Sequence, residues 1–271
     1  MILFYTSSDG QSYNLKCGKL RTRTASYHTY DWTPQTVKQR YGEKVYRFDK
    51  SAIVYTTLIS VFGTQEERRM QLNRLHSSFN YDIDNLTFGR ITHGEYYIEC
   101  FITASNTYYE NPYTQNEINI YCPYPFWKHD IKHSFTPDEA KPYPFLDYPH
   151  GYNYDFKAKL PARGVLENSG ERSANYTLTI YGAATNPRIV INDLEIGVNA
   201  TIGAAEKVVI DTGTRTVVKY GAAKTNLFNN RIKGDRSMFA PVPVGVSNLL
   251  WNGTFNFDLV LHEERSEPLW I

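Results

Sequence analysis

Cysteine is scarce in this chain. Cys17, Cys100 and Cys122 are widely spaced and odd in number, with no CxxC pair and no disulfide framework. They read as free thiols, buried or half-buried, of a protein made in a reducing compartment. A dominant charge sign is lacking too. The net charge is +1 with both signs interspersed, which leaves no electrostatic footprint for nucleic-acid binding. No apolar run approaches the roughly 18 residues that span a bilayer, so no membrane partner is expected. Met1-Ile2-Leu3-Phe4-Tyr5 turns polar at Thr6 without a basic flank or a small-residue cleavage site, and no export signal is expected there. Long helical patterns, internal repeats and low-complexity tracts are missing. So are a Gly-x-Ser-x-Gly elbow and a phosphate-cradling glycine loop, and no enzyme is expected.

What is present is aromatic and β-forming. The chain has 22 tyrosines and 15% aromatic residues, with apolar bodies and polar tips that suit half-buried strands and interfaces. Six of its 13 prolines lie between Tyr121 and Pro149. Proline removes a backbone donor, so that stretch is barred from helix interiors and central strands. Its aromatics (Phe126, Trp127, Phe145, Tyr148) distinguish it from a solvated linker. It reads as an ordered crossing between two domains, 1–130 and 131–271.

Taken in order, residues 2–5 form a short strand and Ser8-Asp9-Gly10 a turn. Residues 11–47 are polar and irregular, with Arg21-Thr22-Arg23-Thr24 as a strand edge or an extended arm. Residues 47–62 read as a strand with apolar groups on both faces, hence covered on both sides. Thr64-Gln-Glu-Glu67 fits a capping box, and Leu72, Leu75, His76 and Phe79 make the apolar stripe of a helix over 64–79. Strands follow at 96–103 and 117–121. Beyond Pro149, short β runs at 152–160, 173–181, 188–191, 207–211, 216–220, 245–251 and 255–262 indicate an all-β sandwich or a jelly-roll-like domain. The apolar end, Leu269-Trp270-Ile271, is expected to dock.

No residue is assigned a catalytic, cofactor or metal role. His129 and His133 have ligand spacing only on a helix, which Pro125 and Pro137 oppose. Asp82-x-Asp84-Asn85 opens like a calcium loop but lacks its glycine and distal glutamate, and reads as a polar turn after the helix. Carboxylate pairs for glycoside cleavage are invisible to spacing alone. Glu263-Glu264-Arg265 reads as a solvated strand edge. Asn85, Asn175, Asn199 and Asn252 each begin an Asn-x-Thr triplet, read as ordinary turn and strand composition. Trp32, Trp127, Trp251 and Trp270 are sugar-stacking platforms or packing residues, with packing favoured.

Several segments together resemble the distal tail proteins of long-tailed bacteriophages and prophages. They are Tyr121-Cys-Pro-Tyr-Pro-Phe-Trp127, Tyr143-Pro-Phe-Leu-Asp-Tyr-Pro149, Leu166-Glu-Asn-Ser-Gly170, Tyr176-Thr-Leu-Thr-Ile-Tyr-Gly182, Asn186-Pro-Arg-Ile-Val-Ile191, Val208-Val-Ile-Asp-Thr212 and Pro243-Val-Gly-Val-Ser-Asn248. The likeness covers roughly residues 117–271. It implies a mainly β chain: an N-terminal ring-forming domain with one α-helix, then a galectin-like or carbohydrate-module-like β-sandwich. It also implies a structural hub of the virion tail tip, assembled in the bacterial cytoplasm. The implied partners are further copies of itself in a ring of probable sixfold order, the tail tube protein, the tail-tip protein and receptor-binding proteins. No cofactor is implied. Ring contacts are expected on strands 47–62 and 95–103 and on the helix. Asn168-Ser-Gly170 is expected to turn through positive φ. The alternative is a carbohydrate-binding protein that attaches to the host surface through the sandwich.

Overall fold

The computed structural model describes residues 3–109, 112–137 and 162–269. The expected strand 152–160, Phe145 and Tyr148 of the crossing, and Trp270 lie outside them. The chain divides into two compact units, Met1–His129 with Glu264–Ile271, and Asp130–Glu263.

The first unit begins with strands β1 (Leu3–Thr6), β2 (Ser12–Asn14), β3 (Leu20–Ala25), β4 (Thr33–Lys38), β5 (Glu43–Asp49) and β6 (Ile53–Val61). Helix α1 (Gln65–Asp84) follows, then β7 (Gly89–His93), β8 (Tyr96–Tyr109) and β9 (Thr114–Cys122). Seven of these strands form one antiparallel sheet in the order β2-β1-β7-β8-β9-β6-β3. Its two outer strands approach each other: the Thr22 N–H donates to Leu15 O at 2.7 Å. The sheet therefore curls toward closure, which shields edges that would otherwise pair with other chains. Inward residues Tyr5, Tyr55, Ile59, Ile91, Ile98, Ile118, Ile120 and Trp127 make the core, with Leu72, Leu75 and Phe79 of α1. Strand β6 departs from the expectation of two covered faces. Tyr55, Thr57, Ile59 and Val61 are buried, whereas on the other face cover is uneven: Val54 is 52% exposed, Leu58 is half-buried, and Ser60 is buried under Arg23.

Helix α1 starts where the capping box places it. The Thr64 hydroxyl accepts from the Glu67 amide, and the Glu67 carboxylate accepts from the Thr64 N–H. It runs a turn beyond the expected end, because Asp82 is drawn into the core rather than left in a polar turn. Asp82 is fully buried, and its carboxylate accepts from the Tyr5 hydroxyl at 2.5 Å, the Ser7 hydroxyl at 2.8 Å, the Ser8 hydroxyl at 2.6 Å and the Ser8 N–H at 2.8 Å. Burial and the adjacent Asp82 push the Tyr5 phenol far above its ordinary pKa, so Tyr5 stays a donor. This network ties the last turn of α1 to the first strand and its turn.

The second unit contains most of β10 (Trp127–Phe135), then β11 (Ala162–Asn168), β12 (Asn175–Tyr181), β13 (Ala184–Thr185), β14 (Arg188–Ile191) and β15 (Leu194–Gly197). After these come β16 (Thr201–Ile202), β17 (Lys207–Asp211), β18 (Thr216–Tyr220), β19 (Thr225–Asn226), β20 (Gly245–Trp251) and β21 (Phe257–Arg265). One sheet runs β19-β18-β17-β12-β21-β10 and another runs β11-β20-β14-β15. Alternate residues of both meet in one core: Tyr176, Leu178, Ile180, Val208, Ile210, Leu259 and Leu261 against Leu166, Ile189, Ile191, Ile196, Leu249 and Trp251. This is a β-sandwich.

Three sequence readings are corrected here. Trp127–Phe135 is a strand, because the crossing's prolines flank it and none falls inside it. Glu263 and Glu264 are buried rather than solvated. Glu263 accepts from the Ser169 N–H at 2.7 Å, and Glu264 accepts from the Tyr124 hydroxyl at 2.8 Å. The Asn168-Ser-Gly170 turn needs no positive φ: the Asn168 side chain accepts from the Gly170 N–H at 3.0 Å and donates to Arg172 O at 2.9 Å.

Replacing Asp82 by Asn leaves buried donors mismatched and should cost about 2–4 kcal/mol. Thr64→Ala, at the exposed cap, should cost about 1 kcal/mol. Urea unfolding of both variants measures the difference; equal losses would refute a structural role for the Asp82 network.

Candidate functional site

Among the described residues of the first unit, an arm with exposed apolar side chains joins no larger sheet. Strands β4 and β5 pair only with each other, from Thr33↔Asp49 to Lys38↔Glu43. Gln39 and Gly42 close the tip by a 3.0 Å bond, and Gly42 takes φ 77°, a conformation that disfavours side chains. The register shifts between Gln35 and Thr36, so Tyr46 is the extra residue of a bulge that increases the local twist. Sequence reading left this stretch irregular because its side chains do not alternate between polar and apolar. Both faces are solvated.

Along the arm, Val37, Tyr41, Val45, Tyr46 and Phe48 are 59%, 82%, 45%, 58% and 57% exposed. At roughly 200 Å² per ring, the three aromatics alone present about 400 Å². That is the size of the largest apolar patch on an ordinary monomer, often a functional one, and about half of the roughly 800 Å² per partner of a stable interface. Arg40 lies 5.3 Å from the Tyr41 ring and Arg47 6.0 Å from the Tyr46 ring, so the apolar strip carries positive charge.

An isolated two-stranded ribbon is marginal in water, so its root must hold it. Tyr27 is buried and meets Tyr55 and Trp127 edge-on at 5.7 and 5.8 Å. Its hydroxyl accepts from Thr57 at 3.0 Å. On the returning leg, the Lys50 ammonium sits 5.6 Å from Tyr30, 5.4 Å from Trp32 and 4.3 Å from Phe126. Such cation–π contacts strengthen as water is excluded. Trp127 is fully buried and donates to the Tyr55 hydroxyl at 3.3 Å. Trp32 therefore belongs to this cage, and Trp127 to the core. Two histidines complete the root: His93 is buried 5.5 Å from His28, 6.0 Å from Tyr27 and 6.2 Å from Trp127, while His28 Nδ1 lies 4.0 Å from Glu267.

More exposed apolar side chains lie on the last turn of α1 and just after it. Tyr81, Ile83, Leu86 and Phe88 are 45%, 39%, 81% and 44% exposed. Leu86 holds φ 51°, a region leucine seldom occupies. Of the strands expected to carry ring contacts, β6 pairs with β9 over Ile53–Val61 and with β3 over Thr57–Val61, and β8 pairs with β7 over Tyr96–Cys100 and with β9 over Phe101–Tyr109. Beside α1, an open groove of about 790 Å³ is lined by Arg68, Arg69, His76 and Tyr109.

In the second unit one arrangement looks catalytic. His262 Nδ1 is 2.6 Å from Asp130 Oδ1, and its Nε2 is 2.8 Å from Thr177 Oγ1. The order is that of an acid, a base and a hydroxyl nucleophile. Thr177, however, lies on β12, which is paired on both sides, so its neighbouring amides are committed to the ladder and form no oxyanion hole. The side chains bond across adjacent strands of an open sheet. Trp251 is 7% exposed and packs edge-on against Phe135 and Phe257, which removes it as a sugar platform. His129 and His133 share a strand, four residues and thus about 13 Å apart along it, too far to share a metal. Among the described residues no three His, Cys, Asp or Glu side chains converge on a metal-sized site.

Burial lowers the pKa of His93, helped by the nearby His28 and Lys16, and burial also lowers that of His76. Below the unfolded value of about 6.5 the unfolded chain binds protons first, so stability falls on acidification and levels off beneath the lowered values. Urea midpoints should drop between pH 7.5 and pH 5. His93→Phe should flatten that dependence, and an unchanged slope would exclude His93 as its source.

No protein-family model matches this sequence, and no curated protein does. The fold nevertheless has solved counterparts over its whole length. The crystal structure of SPP1 Dit, described as a paradigm of the hub adsorption apparatus in phages infecting Gram-positive bacteria, is similar at TM-score 0.64 and 13% identity, covering 98% of this chain and 100% of that one. The phage P2 baseplate in its activated conformation with Ca has a chain similar at TM-score 0.64 and 13% identity, covering 99% and 100%. The same baseplate with Sr gives 0.62 and 12%, covering 98% and 99%. At these identities the likeness is one of fold.

Proposed function

We propose that this chain is a structural hub of a bacteriophage tail tip, working as a ring of copies, six in number, that joins the tail tube protein to the tail-tip protein and to receptor-binding proteins. The full-length fold likeness to a phage hub protein and to baseplate chains supports the reading. The observation that carries it is the arm. Closed rotational symmetry requires two different complementary patches on each protomer. The first unit has an aromatic arm at residues 33–49 and, separately, exposed apolar side chains at Tyr81–Phe88. The protein acts by contact rather than by turnover, in the virion, after assembly in the bacterial cytoplasm.

The carbohydrate-binding alternative has less to stand on, because Trp251 is packed into the sandwich. A glycan array separates the two readings: no binding is expected, and specific retention of a sugar would favour the alternative.

Native mass spectrometry and negative-stain microscopy at rising concentration should reveal a sixfold ring. Tyr41→Ser, Tyr46→Ser and Phe48→Ser combined should abolish it while leaving the melting temperature nearly unchanged, since these side chains touch little of their own unit. A ring that persists in the triple variant would exclude the arm as a ring contact. Monomers at every concentration, with or without a tail-tube preparation, would argue against the hub.

A further inference from the structure

The β8–β9 ladder ends at Phe101 opposite Tyr121, and the next residues in line on the two strands are Cys100 and Cys122. Both residues are free thiols and both are fully buried, in the middle of the first unit's sheet. Gly89 faces Cys100 from β7 and Ile53 faces Cys122 from β6. The Cys122 thiol, which donates to Ile120 O at 3.9 Å, neighbours that of Cys100. Directly opposed residues of an antiparallel pair have Cα atoms about 4.5–5.5 Å apart. Disulfides span about 4.4–6.8 Å between Cα atoms, so the strands need not move to accept one.

We propose that Cys100 and Cys122 form an oxidation site, at which a small peroxide converts the facing thiols into a cross-strand disulfide. The peroxide transfers one oxygen to a sulfur, giving a sulfenic acid and one water. The facing sulfur then displaces the hydroxyl, which leaves with that thiol's proton as a second water. The sulfurs lose two electrons in total and one peroxide is reduced to two waters. The neighbouring Cys122 thiol and burial raise the Cys100 pKa above its ordinary value, so thiolate is scarce. The reaction is therefore slow, paced by opening of the strand pair, and faster in alkali.

The product staples the long hairpin at its base. It closes a loop containing the exposed Tyr108 and Tyr109, which restricts the unfolded chain. Cys17 is exposed on the same unit and reacts without this geometry. The inference is independent of the hub reading.

The test uses the full chain carrying Cys17→Ser, so that no exposed thiol couples two molecules. It is treated with hydrogen peroxide at pH 8.5, quenched, denatured and alkylated with iodoacetamide. The expected product is lighter than the reduced chain by about 2 Da, takes up no alkyl group and reverts with dithiothreitol. Its melting temperature should rise by several degrees. Peptide mapping should recover Cys100 and Cys122 in one linked species. Two alkylated cysteines after prolonged treatment would overturn the proposal, as would a sulfinic acid at either position without a cross-link.

Discussion

A two-stranded ribbon has no core of its own, and whatever fixes residues 33–49 is fixed at their root. There the chain leaves the first unit past Tyr27 and returns past Lys50. Tyr27 is wedged between Tyr55 and Trp127. Lys50 is bracketed by Tyr30, Trp32 and Phe126. This cluster allows five large apolar side chains to remain in water without collapsing onto the sheet. It also makes Phe126 and Trp127 more than members of a proline-rich crossing: they brace both legs of the arm. The rings restrict the movement of the arm at its root.

Closure of the sheet is the complement of that projection. The bond from Thr22 to Leu15 brings the outer strands together, so the β2 and β3 edges are poor templates for another chain. Asp82 supports the same end, since its four hydrogen bonds hold β1, the turn after it and the end of α1 as one piece. Exposed apolar side chains remain on the arm and at Tyr81–Phe88.

The sequence discloses whatever depends on neighbours along the chain. Thr64 and Glu67 announce the start of α1, and strands 188–191, 207–211, 216–220 and 245–251 stand where their alternation and turns place them. Features set by distant neighbours do not show. Asp82 looks like a turn residue until Tyr5, Ser7 and Ser8 arrive from the other end of the unit. Glu263 and Glu264 look solvated until Ser169 and Tyr124 meet them. The arm lacks apolar alternation because neither face is buried, so the pattern that finds other strands is blind to it. The resemblance read from residues 117–271 fits a fold that similar chains share at about an eighth of identical positions.

The Asp130, His262 and Thr177 arrangement shows why a constellation differs from a site. Cross-strand neighbours lie about 5 Å apart, so acid, imidazole and hydroxyl on three adjacent strands fall into hydrogen-bonding order from sheet spacing alone. Catalysis also requires donors aimed where charge develops and a volume that excludes water around the reacting atom. A central strand supplies neither, since its amides are already bonded to their partners. Polar side chains that satisfy each other across a sheet hold that face rigid.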